Sequence, residues 1–193
     1  MEEFSPRIIE DGGTIPARLN AVQEAAVKAT LEGVVRALGV VDGTVKGDLV
    51  VEGDQVCVLE VALRLSGGWF ASDQIRLACG VDLVTASISQ AMGERVAVSD
   101  LTPSLNRATA IRYWFPEPGR IVEITGRAEV LDSPGVERVD IAFGVGDTLP
   151  AVRSHRDRFG SVVCSGEGRD KAIENVARAL KCLTVRTEHE DDA

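Results

Sequence analysis

Apolar and polar residues alternate along residues 58–66, which is the period of a strand with one buried face. One predicted face carries Leu59, Val61, Leu63 and Leu65, and the other carries Glu60, Ala62, Arg64 and Ser66. A second apolar stretch precedes this one, and the turn formers of residues 52–54 lie between the two. The pattern therefore predicts a β-hairpin with strands over 44–51 and 55–65.

Between residues 19 and 38 the apolar residues have the spacing of a helix and not that of a strand. Apolar residues recur there along one face of a helix, at Leu19, Val22, Ala25, Ala26, Ala29, Val34 and Leu38. Thr14 and Pro16 are predicted to start this helix, because a hydroxyl cap and an early proline suit a helix N-terminus. Gly39 is predicted to end it. Further helices are predicted over 72–78, over 82–92 and around 172–180.

The second half of the chain is rich in predicted strands. They cover 108–115, 120–130 and 136–143, and a short strand is predicted at 183–187. The segment 100–106 has the composition of a linker. We therefore expect an α+β fold with two domains, 1–99 and 100–193, of which the second is small, β-rich and carries a terminal helix.

The composition narrows the functional classes. The 193 residues are 45% hydrophobic and 26% charged, as in ordinary globular proteins. A net charge of -9 without a basic stripe argues against nucleic acid as a partner. The four cysteines, at 57, 79, 164 and 182, have no metal-ligand or redox spacing. No secretory leader or membrane span is recognisable, so a cytoplasmic location without membrane association is expected.

The predicted hairpin brings acidic residues together on its polar face. With a three-residue loop, Val51 pairs with Gln55. The same register sets Lys46 opposite Glu60, with Asp48 as the diagonal neighbour of Glu60, about 7–8 Å away at the backbone. Both carboxylates then reach one divalent cation, and Mg2+ usually takes one or two carboxylates together with water and phosphate oxygens.

Arg64 lies further along the same predicted face, within reach of phosphate or carboxylate oxygens that a guanidinium binds in pairs. The alternative is the solvated face of a one-sided sheet, on which Lys46 and Glu60 form an ordinary cross-strand ion pair. The residue pattern by itself leaves both interpretations open.

The stretch GTVKGDLVVEGDQVCVLEVALRLSGG, residues 43–68, resembles the metal-binding hairpin of ATP-grasp ligases. In that superfamily an acidic residue on one strand is followed on the next strand by Glu-x-Asn-x-Arg and often by a glycine pair. Asp48, Glu60 and Arg64 match these positions, and a glycine pair follows at 67 and 68. Two further stretches resemble other parts of the superfamily: IIEDGGTIPARL resembles the entry to the last large helix of its carboxylate–amine ligases, and ACGVDLVTASISQAMGE resembles the helix pair after the hairpin. Its C-terminal domain is resembled by RYWFPEPGRIVEITG, VGDTL and SHRDRFGSVVCSGEGRDKAIENVARAL.

The resemblance implies the C-terminal subdomain of an ATP-grasp fold, an antiparallel sheet with flanking helices, followed by a small β-rich domain. It implies ATP and Mg2+ as cofactors, with Asp48 and Glu60 as metal ligands and Arg64 as the catalytic residue that steadies phosphate or acyl-phosphate oxygens. The implied reaction activates a carboxylate as an acyl phosphate and joins it to an amine or similar nucleophile.

Two departures modify this expectation. Ala62 stands where the superfamily has asparagine, which removes an oxygen that helps to hold a second metal ion. The N-terminal parts of the fold, with the substrate domain and the lysines over the phosphates, have no match before Met1. We therefore expect little activity from the chain alone and a chain or segment with those parts as its partner, and a homo-oligomer is left open. The alternative is a catalytically inactive ATP-grasp remnant that serves as an interaction or regulatory module.

Overall fold

The computed structural model describes residues 9–188, which form helices and antiparallel sheets. The strands are β1 (Gly12–Ile15), β2 (Lys46–Glu52), β3 (Gln55–Ala62), β4 (Ala108–Trp114), β5 (Gly119–Thr125), β6 (Val136–Ile141), β7 (Thr148–Leu149), β8 (Gly160–Gly166) and β9 (Thr184–Glu188). The α-helices are α1 (Ala21–Ala37), α2 (Ile75–Cys79), α3 (Leu83–Ala91), α4 (Arg127–Leu131) and α5 (Arg169–Cys182). The predicted α+β class is confirmed. No helix in the described range is long and apolar enough to cross a membrane.

The chain forms two compact units. One is Ala17–Leu105, and the other joins the described residues up to 16 with those from 106 onward. The early residues belong to the second unit because β1 pairs with β4, with Gly12 opposite Arg112 and Ile15 opposite Thr109. The division into domains 1–99 and 100–193 stays a prediction.

The unit Ala17–Leu105 contains the α1 helix, the β2–β3 hairpin and the two short α-helices α2 and α3. The predicted start of α1 at Thr14 and Pro16 is wrong, since Thr14 lies in β1 and the helix begins at Ala21. Asn20 is the reason: its Oδ1 accepts hydrogen bonds from the backbone N–H groups of Val22 and Gln23. The Gln23 side chain accepts one in return from the Asn20 N–H, which completes a capping box.

The second unit holds the main hydrophobic core. Its four-stranded sheet has the order β1-β4-β8-β6, its three-stranded sheet has the order β7-β5-β9, and α5 packs on β4 and β8. The core comprises Ala108, Ala110, Trp114, Ile121, Val130, Leu149, Phe159, Val162, Cys164, Ala172, Val176, Ala179 and Leu183. The partly buried Phe143 packs against this core, and its ring stacks on that of Phe159 with centroids 6.3 Å apart.

In this unit one predicted strand ends earlier than expected, and one strand was not predicted. The strand predicted over 120–130 ends at Thr125, because Gly126 adopts a left-handed conformation (φ 86°) and starts α4. The fully buried central strand β8 was not predicted from the sequence. Its terminal glycines are needed for packing, since a Cβ at Gly160 would lie 2.4 Å from the Asp140 carbonyl oxygen.

Candidate functional site

The β2–β3 hairpin has a different register from the one that a three-residue loop predicts. Glu52 pairs with Gln55, so the loop contains only Gly53 and Asp54. Gly53 has a positive φ of 58°, as the first central residue of a type II′ turn requires. The predicted pairing of Val51 with Gln55 is therefore wrong: Val51 pairs with Val56.

A β-bulge then shifts the register again. Leu49 pairs with Val58, but Asp48 pairs with Glu60, so that Leu59 is the extra residue on β3. The two acidic residues are directly opposite each other instead of diagonal. Directly opposed residues have backbones closer than diagonal ones, about 4.5–5.5 Å apart at Cα. The structure thus brings the predicted metal ligands closer together than the sequence register does.

The acidic residues lie on the exposed face of the hairpin. The other face is turned toward α1, because a Cβ at Gly47 would lie 2.6 Å from Leu31 Cδ2. Gly47 and Asp48 are adjacent in the strand and point to opposite sides. The side chains of Asp48 and Glu60 are 47% and 61% exposed. A ligand approaching from solvent can therefore reach both carboxylates.

The position of Lys46 differs from the one that the predicted register gives it. It was expected opposite Glu60, but its cross-strand partner is Ala62. Its Nζ forms an ion pair with Asp48 Oδ2 and lies 3.8 Å from Glu60 Oε1. The Lys46 side chain is only 22% exposed. The ammonium group therefore contacts both carboxylates, where the sequence indicated an ion pair with Glu60 alone.

Arg64 lies outside the strand. The predicted strand over 55–65 ends at Ala62, and Arg64 follows in a bend where its Nη1 donates to the Leu65 carbonyl oxygen at 3.0 Å. Among the described residues it forms no ion pair with Asp48 or Glu60. The structure therefore brings together two of the three predicted site residues, and not the third.

A surface pocket of about 420 Å³ borders Arg64. Its other lining residues come from the segments before β2 and after β3 and from α3: Asp42, Gly43, Thr44, Leu63, Leu65, Ser87, Gln90 and Ala91. The Thr44 and Ser87 hydroxyl oxygens are 2.9 Å apart, and Gln90 Nε2 donates to Asp42 Oδ1 at 2.5 Å. Four of the polar side chains in the lining are thus already paired with one another.

The hairpin offers a limited set of metal ligands. Within residues 9–188, no group of three or more histidine, cysteine, aspartate or glutamate side chains is placed to hold a metal ion. Two opposed carboxylates nevertheless match what Mg2+ usually takes from a protein when water and phosphate oxygens supply the remaining ligands. The residues present therefore fit one Mg2+ ion, with Lys46 as a competing cation.

Comparison with known proteins gives one family match over part of the chain and one shared fold. Residues 112–188 match the family model described as L-amino acid ligase C-terminal domain 2. No curated protein sequence matches the chain significantly. Phosphoribosylglycinamide synthetase from Anaerococcus prevotii superposes with a TM-score of 0.82 at 16% identity, over 92% of this chain and 45% of that one. The chain has the fold of the C-terminal half of an ATP-grasp ligase.

Two further solved structures share this fold. L-amino acid ligase from Bacillus licheniformis has a TM-score of 0.82 at 18% identity, over 95% of this chain and 46% of that one. N5-carboxyaminoimidazole ribonucleotide synthetase from Thermotoga maritima has a TM-score of 0.67 at 21% identity, over 92% and 46%. The predicted resemblance is confirmed, and the chain spans less than half the length of each of these three relatives. The family match covers β5 to β9 but not the hairpin, so the roles of Asp48, Glu60 and Arg64 remain proposals.

Proposed function

We propose that the chain is the C-terminal portion of an ATP-dependent ligase that activates a carboxylate as an acyl phosphate and joins it to an amine or similar nucleophile. The observation that carries this proposal is the direct opposition of Asp48 and Glu60 on the exposed face of the hairpin. The ATP-grasp fold supports it, because the ligases that share this fold use ATP and Mg2+.

Each predicted site residue has a role in this proposal. Asp48 and Glu60 hold one Mg2+ ion, which when bound neutralises charge on the phosphate oxygens. Arg64 contacts phosphate or acyl-phosphate oxygens, for which its guanidinium presents donors in the matching planar geometry. The bend that carries Arg64 is exposed, so the side chain can turn away from the Leu65 carbonyl toward a ligand.

The proposed partner is a chain or segment with the N-terminal parts of the ATP-grasp fold. The unit Ala17–Leu105 supports this, since α1, β2 and β3 contain no buried residue. Large hydrophobic side chains are instead exposed across it, among them Val22, Leu38, Val50, Leu59 and Leu63. Large apolar side chains left exposed in this number are expected where another segment covers the surface. The small-molecule partners are a carboxylate and an amine.

The test is Mn2+ binding to the 193-residue chain, followed by electron paramagnetic resonance of the free ion. We expect Asp48→Asn and Glu60→Gln each to weaken binding about tenfold or more, because each removes one of two anionic ligands. Glu52→Gln is the matched control, since Glu52 is an exposed acid of the same hairpin that pairs with Gln55 at the turn. Binding that is unchanged in both site variants would contradict the proposed metal site.

A second candidate function is an inactive remnant that acts as an interaction or regulatory module. Lys46 favours it, because its ammonium group already neutralises part of the charge of Asp48 and Glu60. Ala62 adds no oxygen ligand beside them. If the chain, completed with its N-terminal partner, binds neither Mn2+ nor ATP, this second function replaces the first.

A further inference from the structure

Lys46 occupies the space between the two proposed metal ligands. Its Nζ is paired with Asp48 Oδ2 and is 3.8 Å from Glu60 Oε1. A cation that both carboxylates share must lie close to both sets of oxygens, as this ammonium does. The lysine therefore stands where a shared divalent cation would be bound.

The local fold holds Lys46 in this place. Residues 46 and 48 point to the same side of β2, and the bulge at Leu59 brings Glu60 to the same side. The residue across from Lys46 is Ala62, whose methyl group has no acceptor that could draw the ammonium away from the carboxylates. At 22% exposure the lysine side chain is more buried than those of its two partners. The low exposure of the side chain leaves the Lys46 ammonium group directed at the two carboxylates.

We infer that Lys46 is an affinity-determining residue that competes with the divalent cation for Asp48 and Glu60. The inference rests on the proposed function, since it concerns the same metal site. A metal ion can take both carboxylates only if the ammonium moves, because two cations so close together repel each other. The phosphate oxygens of a bound nucleotide would offer the displaced ammonium another acceptor. Binding of metal alone is therefore weak, and the nucleotide strengthens it.

The experiment measures Mn2+ affinity of the full 193-residue chain by electron paramagnetic resonance, without nucleotide. Lys46→Met removes the charge and keeps a long apolar stem, and we expect it to lower the Kd about tenfold, the size expected for two partly exposed ion pairs. Lys46→Gln is a second variant that removes the charge with a polar side chain. Lys46→Arg, which keeps the charge, is expected to bind as weakly as the native chain.

The design separates the inference from the proposed function. If Asp48→Asn weakens binding but neither Lys46→Met nor Lys46→Gln strengthens it, the metal site stands and the role of Lys46 is overturned. If millimolar Mn2+ binds neither to the native chain nor to the two charge-removing variants, both are overturned. The double variant Lys46→Met/Asp48→Asn should lose the increase in Mn2+ affinity that Lys46→Met alone gives. Circular dichroism checks that each variant is folded.

Discussion

Asp48 lies directly opposite Glu60 across the β2–β3 hairpin, and the bulge at Leu59 puts them in that relation. Without the bulge, the register at the turn would set Asp48 against Leu59, whose side chain would then take the place of the carboxylate. A one-residue shift of register moves every following side chain to the other face of a strand. The bulge is therefore what pairs the two acids, and the site depends on it.

The register can be tested with cysteine pairs. In a Cys57→Ser background, Asp48→Cys/Glu60→Cys is expected to form a disulfide on mild oxidation, because directly opposed residues have Cα atoms about 4.5–5.5 Å apart, within disulfide range. Asp48→Cys/Val58→Cys is the control, since the three-residue loop would place these two opposite each other. Peptide mass mapping identifies the cross-links. Preferential cross-linking of the control pair would show that the bulged register is wrong.

A second prediction concerns Gly126, where the chain turns from β5 into α4. Its φ is 86°, and an added Cβ would lie 1.7 Å from the Cys182 carbonyl oxygen. Gly126→Ala therefore requires backbone movement in addition to left-handed strain, and we expect it to lower the free energy of unfolding by about 3 kcal/mol or more.

Gly146→Ala is the matched control in the same compact unit. Gly146 also has a positive φ, 98°, but nothing lies within 4 Å of its added Cβ. Only the conformational strain remains, and a loss of about 1–2 kcal/mol is expected. Urea unfolding followed by circular dichroism compares the two. Equal losses of unfolding free energy in the two variants would mean that the close contact between Gly126 and the Cys182 carbonyl does not add to the cost of the substitution.

The hairpin shows how much of this site the sequence alone determines. Alternation of apolar and polar residues correctly predicts the hairpin and its acidic face, because side-chain direction in a strand follows sequence parity. It does not predict the bulge at Leu59, since many residues can occupy a bulge and the partner strand decides where the ladder shifts. It also places Arg64 on β3, although the strand ends at Ala62.

For the fold as well, local sequence patterns predict some features, and others depend on contacts between distant residues. Resemblance in short motifs identified the ATP-grasp fold, which the structural comparisons confirm. The central strand β8 was missed because Gly160 and Gly166 at its ends weaken its intrinsic strand preference. Only the packed structure shows why they are glycine: at Gly166, a Cβ would lie 2.5 Å from the Ala172 nitrogen. The pairing of β1 with β4 joins residues about a hundred positions apart, which no local pattern reveals.

The last prediction concerns Cys164, a fully buried thiol at the centre of β8. Burial, reinforced by the negative charge of Glu137, raises the pKa of this thiol from 9.0 to about 12. In the unfolded chain the thiol ionises near its ordinary pKa, whereas in the folded chain it keeps its proton to much higher pH. The stability linked to the neutral thiol is therefore complete below about pH 9 and is lost progressively as the pH rises toward about 12.

The comparison of Cys164→Ala with the native chain isolates this contribution. Burial also raises the pKa of Tyr113, so both proteins should lose some stability at alkaline pH. Between about pH 8 and about pH 11, urea midpoints of the native chain should fall more steeply than those of Cys164→Ala, because only the native chain has the buried thiol. Cys57→Ala is the control, since it removes an exposed thiol and leaves the buried one in place. If the urea midpoints of the native chain and of Cys164→Ala fall equally steeply with pH, the prediction is wrong. The buried thiol would then make no contribution to the loss of stability at alkaline pH.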